Sequence, residues 1–165
     1  MKKILLSTLA LLFSAYCMAQ EELSFPFQGG KNIMNRFFKE NLIVTPEIIK
    51  KRATGLVLFK FTADENGKLT KMIIYYADDK ILAGPVVEAM KKSNRKWVIP
   101  NHEQLHDYII PFSFNINTPV PDSLHIEKSL YNGYLNRAPI TTTNQVPLDM
   151  ATLLPAVMVN YDITP

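Results

Sequence analysis

The feature that most constrains this chain is a pair of apolar segments joined by a tight turn. Gly55–Thr62 reads GLVLFKFT, Asp64–Gly67 reads DENG, and Lys68–Tyr76 reads KLTKMIIYY. The Asn-Gly pair supplies the positive φ angles that a tight hairpin needs, and β-branched and aromatic residues favour strands. The sequence therefore predicts a β-hairpin, with Ile74 and Tyr76 on one face of its second strand.

Helical patterns lie on both sides of this hairpin. Before it, apolar residues recur at helical spacing and predict an amphipathic helix: Ile33, Met34, Phe37, Phe38 and Leu42. Thr45 and Pro46 then predict the N-cap and first turn of a short second helix. After the hairpin, Gly84 and Pro85 predict a break in the chain, with a further helix starting at Val86.

A third strand is indicated near residue 110, where Ile110, Phe112 and Phe114 alternate. Pro111 cannot donate to a sheet ladder, so it predicts an edge strand or a bulge. Trp97, which precedes this strand, is predicted to fill the core beneath the sheet. These elements predict an α+β fold: a small antiparallel sheet of about three strands with helices packed on one face.

The character of the chain changes after this strand. Prolines are frequent and charges are sparse from 117 to 165. Ala156–Tyr161 is predicted as a strand, and Leu124–Leu135 as a helix that makes contacts through Leu124, Leu130, Tyr131 and Tyr134. The aliphatic content predicts that this appendage docks, and it is placed in the sequence to fold back over the third strand.

The first residues resemble a secretory signal peptide. Lys2 and Lys3 precede an apolar run, Ile4–Ala15, that is shorter than the ~20 residues a membrane-spanning helix needs. Cleavage is predicted after Ala19, which places the mature chain in the periplasm or outside the cell. The alternative is lipid attachment at Cys17. Since this is the single cysteine, no disulfide framework can form.

Composition limits the partners of the mature chain. There are 18 basic and 15 acidic side chains, and two of the basic ones belong to the predicted leader. Such a balance gives no electrostatic reason to expect nucleic acid or an anionic membrane as a partner. We predict a signal peptide at 1–19, one domain at 20–116 and a proline-rich appendage at 117–165, with no transmembrane helix in the mature chain.

Several short motifs occur in a suggestive order. They are Phe25-Pro26 with Gly29-Gly30, Gly55, Asp64 with Gly67, Trp97 with Pro100, and Ile110-Pro111-Phe112 with Phe114. This order resembles the C-terminal domain of TonB energy transducers, particularly those of Bacteroidetes-type bacteria. The resemblance covers residues 25–116.

The resemblance implies a noncatalytic module that binds an extended protein segment by adding it to a sheet edge, without a cofactor. By resemblance, the binding edge is Tyr108, Ile109, Ile110, Pro111, Phe112, Ser113 and Phe114. The implied partner is a protein or peptide, such as a segment of an outer-membrane receptor. An energy transducer also needs a membrane helix and a long periplasmic linker, which the few residues after Gln20 cannot supply. We therefore expect a standalone binding module.

Three alternatives stay open at this point. The appendage could cover the binding edge or occupy it, giving a self-inhibited or domain-swapped protein. The protein could instead be a structural envelope component whose edge serves self-association, for example as a homodimer. The third is a small zinc hydrolase, because His102, Glu103 and His106 match the His-Glu-x-x-His pattern. Its third ligand would be His125 or Glu127. The strand predicted directly afterwards leaves little room for the helix that this motif requires.

Overall fold

The computed structural model of the protein describes residues 25–117, 128, 131–142 and 150–163. Its elements are α1 (Gly30–Asn41), α2 (Pro46–Lys51), β1 (Gly55–Asp64), β2 (Leu69–Ala77), α3 (Lys80–Lys92), β3 (Leu105–Asn117), β4 (Ile140–Thr141), β5 (Thr152–Leu153) and β6 (Val157–Asp162). Residues 131–135 are also helical. The predicted leader, residues 1–19, lies outside the described residues.

One mixed sheet organises these elements. The strand order is β4-β2-β1-β3-β5, and β6 also pairs with β3. β1 is antiparallel to both β2 and β3, whereas β5 and β6 run parallel to β3. The predicted α+β class is confirmed. The sheet is larger than the predicted three antiparallel strands, since six strands take part within the described ranges.

The first two helices form where the sequence predicts them. Met34 and Phe38 of α1 are fully buried, and the Phe38 ring packs edge-to-face on Phe112 of β3 at 5.2 Å between centroids. The Thr45 side chain caps α2 by accepting a hydrogen bond from the Ile48 amide, at 3.4 Å between Oγ1 and N. The helices thus cover the apolar face of the sheet.

The predicted break at Gly84 and Pro85 is wrong. α3 is continuous and begins at Lys80, where the Asp79 side chain accepts a hydrogen bond from the Ile81 amide at 3.2 Å. A proline inside a helix removes one backbone hydrogen bond. In α3 the side chain of Pro85 is buried together with most of the side chains on the inward face of the helix, and this burial offsets the lost hydrogen bond.

The hairpin turn is fixed by a glycine and an aspartate. The Asp64 carboxylate accepts hydrogen bonds from the amides of Asn66 and Lys68, each at 2.9 Å. Gly67 has a φ of 70°, and a Cβ there would stand 2.3 Å from the carbonyl oxygen of Trp97. Only glycine fits this turn, because both the backbone angle and the close approach exclude a side chain.

The second strand of the hairpin does not alternate as predicted. Ile74 lies opposite Phe59, whereas Tyr76 lies opposite Leu58, and Tyr75 between them has no partner on β1. This bulge moves Tyr76 to the other face of the sheet. The prediction that Ile74 and Tyr76 share a face is therefore wrong. The sequence could not reveal this, because a bulge leaves no periodic signature.

Aromatic rings form the centre of the core, as predicted for Trp97. Its ring lies 4.3 Å from Phe61 and 5.1 Å from Phe27, measured between centroids. The indole Nε1 donates to Ser93 Oγ at 3.0 Å, which satisfies its polar group within the core. The segment carrying Phe27 is thereby attached to the chain that leads into β3.

The described part of the appendage belongs to this same core. Leu154, Val157, Val159 and Tyr161 are buried within it. The strand predicted at Ala156–Tyr161 is confirmed as β6. Of the helix predicted at Leu124–Leu135, residues 131–135 are helical and most of the rest lies outside the described residues. Tyr131 and Tyr134 are exposed, and the Arg137 guanidinium contacts the Tyr134 ring, with its Cζ 4.7 Å from the ring centroid.

Candidate functional site

All seven residues of the predicted binding edge lie in β3: Tyr108, Ile109, Ile110, Pro111, Phe112, Ser113 and Phe114. The structure places them inside the sheet and not at its edge. One side of β3 pairs with β1 along ten residues, Leu105 to Phe114. The other side, where a partner segment would add, is occupied by β5 and β6. Of the alternatives, the structure therefore contains the one in which the appendage occupies this side of β3.

A gap in the neighbouring strands allows the interior strand β3 to contain Pro111. β5 pairs with β3 up to Ile109, and β6 begins to pair at Phe112. The gap between the two short strands lies opposite Ile110 and Pro111. The prediction of an edge strand is wrong, since β5 and β6 both pair with this side of β3. The proline is tolerated because the neighbouring strand is interrupted at the position where proline has no N–H to donate.

β6 is bound to β3 as an added strand. Six consecutive pairs run from Phe112 with Val157 to Asn117 with Asp162, without a register shift. The side chains of β6 are buried and exposed in strict alternation. Val157, Val159 and Tyr161 fill apolar positions on the helix side, and the backbone ladder supplies the polar contacts. This is how β-strand addition binds an extended segment.

Few side-chain hydrogen bonds hold this strand. The Tyr161 hydroxyl donates to the carbonyl oxygen of Ala53 at 2.8 Å. Asn117 Nδ2 donates to Asp162 Oδ1 at 3.0 Å. Burial raises the pKa of Tyr161 to about 12, so its hydroxyl remains a donor at pH values where an exposed tyrosine has already ionised. Sequence patterns identified the strand, but they gave no signal for the contact with Ala53.

A second attachment lies at the start of β3. The two ring nitrogens of His106 contact Glu103 Oε2 at 2.6 Å and Thr152 Oγ1 of β5 at 2.7 Å. The neighbouring Tyr108 hydroxyl donates to the carbonyl of Val98 at 2.6 Å. Burial, and secondarily the charge of Glu103, raises the pKa of Tyr108 above its usual range. These contacts join the loop before β3 to the chain that leads into β6.

This geometry does not favour the zinc alternative. The motif is not helical: His102 lies in a turn with a φ of 71°, and His106 lies in β3. Both ring nitrogens of His106 already have protein partners. Within the described residues, no three His, Cys, Asp or Glu side chains are grouped to hold a metal. The third ligands that the motif would need, His125 and Glu127, lie outside the described residues.

The opposite face of β3 carries a charge pair whose lysine is buried and whose aspartate side chain is 37% exposed. Lys60 is 5% exposed, and its Nζ lies 2.8 Å from Asp107 Oδ2. The Thr62 hydroxyl also donates to this carboxylate at 2.6 Å. Burial alone would raise the pKa of Asp107, but the hydrogen bonds from Lys60 and Thr62 outweigh it and lower this pKa. The pair fixes β3 against β1 and is directed away from the β6 site.

The β2 side of the sheet is poorly suited to strand addition. Thr70 and Tyr75 are bulged, so the regular run between them is short. Asn94 Oδ1 accepts a hydrogen bond from the Leu69 amide at 2.9 Å, and Lys71 is exposed on this edge. Bulges and lysines are the devices by which proteins protect sheet edges. The β3 side is therefore the better candidate site.

No family model matches the chain, and no match was found among curated proteins or solved structures. Within the described residues, no helix is both long and apolar enough to cross a membrane.

Proposed function

We propose that this protein is a noncatalytic binding module of the cell envelope that takes an extended protein segment by strand addition at β3. The observation that carries the proposal is β6 itself, a short segment already bound there through a parallel ladder with alternate side chains buried. β6 is then a resident occupant that a partner segment of similar pattern replaces.

The way β6 is held suits such an exchange. Its buried side chains are aliphatic or aromatic, and most of its polar contacts are backbone bonds that any extended segment can make. Leu154–Ala156 separates it from β5, so β6 can detach while the ladder between β1 and β3 stays intact. Removal of β6 would expose the β3 backbone from Phe112 to Asn117.

The resemblance to TonB C-terminal domains supports the same site, because it implies binding at the strand corresponding to β3. It also suggests the class of partner: an extended segment of another envelope protein, such as an outer-membrane receptor. The contacts of β6 suggest the pattern of that segment. It would carry β-branched aliphatic residues at two alternate positions and a tyrosine at the third.

The test opens the site in the full chain. Val159→Asp places a carboxylate at a buried position of β6 and should release this strand, because an unpaired buried charge is strongly unfavourable. Met158→Asp is the matched control, since it adds the same charge one residue away on the exposed face. The probe is a synthetic peptide with the sequence of residues 155–163, and the comparison peptide has the same residues in an order without alternation.

We expect the peptide to shift the amide NMR signals of residues 112–117 in the Val159→Asp chain. The wild-type and Met158→Asp chains should bind at least about tenfold more weakly, because tethered β6 competes at an effective concentration on the order of millimolar. Tyr161→Phe provides a milder opening variant if Val159→Asp does not fold. A folded variant in which the amides of residues 115–117 exchange freely with water, yet do not respond to the peptide, would contradict the proposal.

A further inference from the structure

A polar cavity lies between the appendage and the chain that joins α2 to β1. Its volume is about 310 Å³, which is within the range of small-molecule sites. Lys51, Arg52 and Thr54 line it from the α2 side, and Asn136 and Arg137 line it from the appendage. Its lining includes no residue of β3, β5 or β6, so this cavity is distinct from the proposed peptide site.

Positive charge dominates the lining of this cavity. Three cations, Lys51, Arg52 and Arg137, line it together with a single carboxylate, Asp79. The charge of Lys51 is already offset, because its Nζ lies 2.8 Å from Glu47 Oε1. Neither arginine forms an ion pair within the described part of the chain. The two guanidinium groups therefore give the cavity its excess of positive charge.

The guanidinium of Arg137 is held in a fixed orientation. Its Nη2 donates to the carbonyl oxygen of Thr54 at 2.7 Å and lies 3.2 Å from Thr54 Oγ1. Its Cζ lies 4.7 Å from the centroid of the Tyr134 ring. Both hydrogen bonds use one nitrogen, so Nε and Nη1 keep their N–H groups without a partner among the described residues. A guanidinium fixed in this way is pre-organised to donate paired hydrogen bonds to an oxyanion.

The single carboxylate of the cavity opposes an anion only in part. Asp79 is the N-cap of α3, and its side chain accepts a hydrogen bond from the Ile81 amide at 3.2 Å. The positive end of the helix dipole offsets part of the charge of a carboxylate at this position. The balance of charge in the cavity therefore stays positive.

We propose that this cavity binds the phosphate group of a phosphate monoester, with Arg52 and Arg137 as its main ligands. A phosphate monoester carries nearly two negative charges at neutral pH and three strong acceptor oxygens, which suit two guanidinium groups better than a single carboxylate does. The volume leaves room for a small organic part beside Tyr134. A soluble phosphate ester and the headgroup of phosphatidic acid share this chemistry.

The test titrates the full chain with glycerol 3-phosphate and follows the amide NMR signals of residues 51–54 and 132–137. We expect saturable shifts in both segments, with a dissociation constant of about 1 mM or lower. Succinate is the comparison ligand, because it carries two negative charges without a phosphate group. Co-sedimentation with vesicles that contain phosphatidic acid is the second arm. Binding to these vesicles alone would identify a lipid headgroup as the source of the phosphate.

Three variants test the assigned residues. Arg52→Gln should weaken binding of glycerol 3-phosphate at least about tenfold, because it removes a charged donor. Lys50→Gln is the matched control, since it removes an exposed positive charge two residues away that does not line the cavity. Asp79→Asn should tighten binding about threefold, because asparagine caps a helix as well as aspartate does and carries no charge.

The inference goes beyond the proposed function, and neither test depends on the other. Equal binding of succinate and glycerol 3-phosphate would overturn it. An equal effect of Arg52→Gln and Lys50→Gln would overturn it as well, because the attraction would then be a general effect of charge. Absence of binding to both the soluble ester and the vesicles, in a chain with a well-dispersed NMR spectrum, would also overturn it.

Discussion

The hydroxyl of Tyr161 offers a sharp test of how β6 is held. Tyr161 is only 6% exposed, and Tyr161→Phe removes its hydroxyl oxygen while keeping the ring. The lost group donates to the carbonyl of Ala53 in the segment between α2 and β1. The change therefore removes a single hydrogen bond between β6 and the helical layer, while apolar burial and the β3 ladder stay the same.

The magnitude follows from what is left behind. The Ala53 carbonyl loses its side-chain donor in a buried position, and an unsatisfied buried group costs about 1–2 kcal/mol. For a chain of this size each kcal/mol lowers Tm by about 2–4 °C, so we expect a decrease of roughly 2–8 °C. If β6 opens on its own, its amides should also lose about tenfold in protection from hydrogen exchange, while β1 and β2 keep theirs.

The measurement is thermal and urea denaturation together with amide exchange, using Tyr131→Phe as the matched control. Tyr131 is 63% exposed, so removal of its hydroxyl should change stability by less than about 0.5 kcal/mol. If Tyr161→Phe were as stable as this control, the hydrogen bond to Ala53 would contribute nothing, and the account of how β6 is held would be wrong.

The pKa of the same hydroxyl predicts that the protein loses stability at alkaline pH. Burial raises the pKa of Tyr161 from 10.0 to about 12, so between these values the unfolded chain loses its proton before the folded chain does. The contribution of Tyr161 to stability is complete below pH 10 and falls as the pH rises toward 12. Tyr161→Phe should show a shallower loss over this window in denaturation measured at several pH values. A parallel loss in both proteins would contradict the assignment.

Two further substitutions and one control test the hairpin turn and the pairing of β3 with β1. Gly67→Ala should lower the free energy of unfolding by more than about 2 kcal/mol, because φ is positive and a Cβ would stand 2.3 Å from the Trp97 carbonyl oxygen. Gly84→Ala, in open space on α3, should instead stabilise by about 0.5–1 kcal/mol, and equal effects in thermal denaturation would refute the turn argument. Asp107→Asn should destabilise by about 1–3 kcal/mol, because Lys60 loses a charged hydrogen-bond partner; a urea midpoint equal to wild type would refute it.

Local patterns predicted the elements whose causes are local. The helical spacing of Met34 and Phe38, the cap at Thr45 and the turn at Gly67 each act within a few residues, and the structure contains all of them. The alternation of β6 was also readable, since its buried and exposed side chains follow a period of two.

What the sequence could not supply is the environment of each element. Whether Pro85 ends a helix depends on how much of its surroundings is buried, and whether Pro111 marks an edge depends on where the neighbouring strand is interrupted. β4 and β5 are two residues long, too short for any periodic signal. The contact of His106 with Thr152 joins residues far apart in the chain, so a motif typical of zinc enzymes did not reveal it.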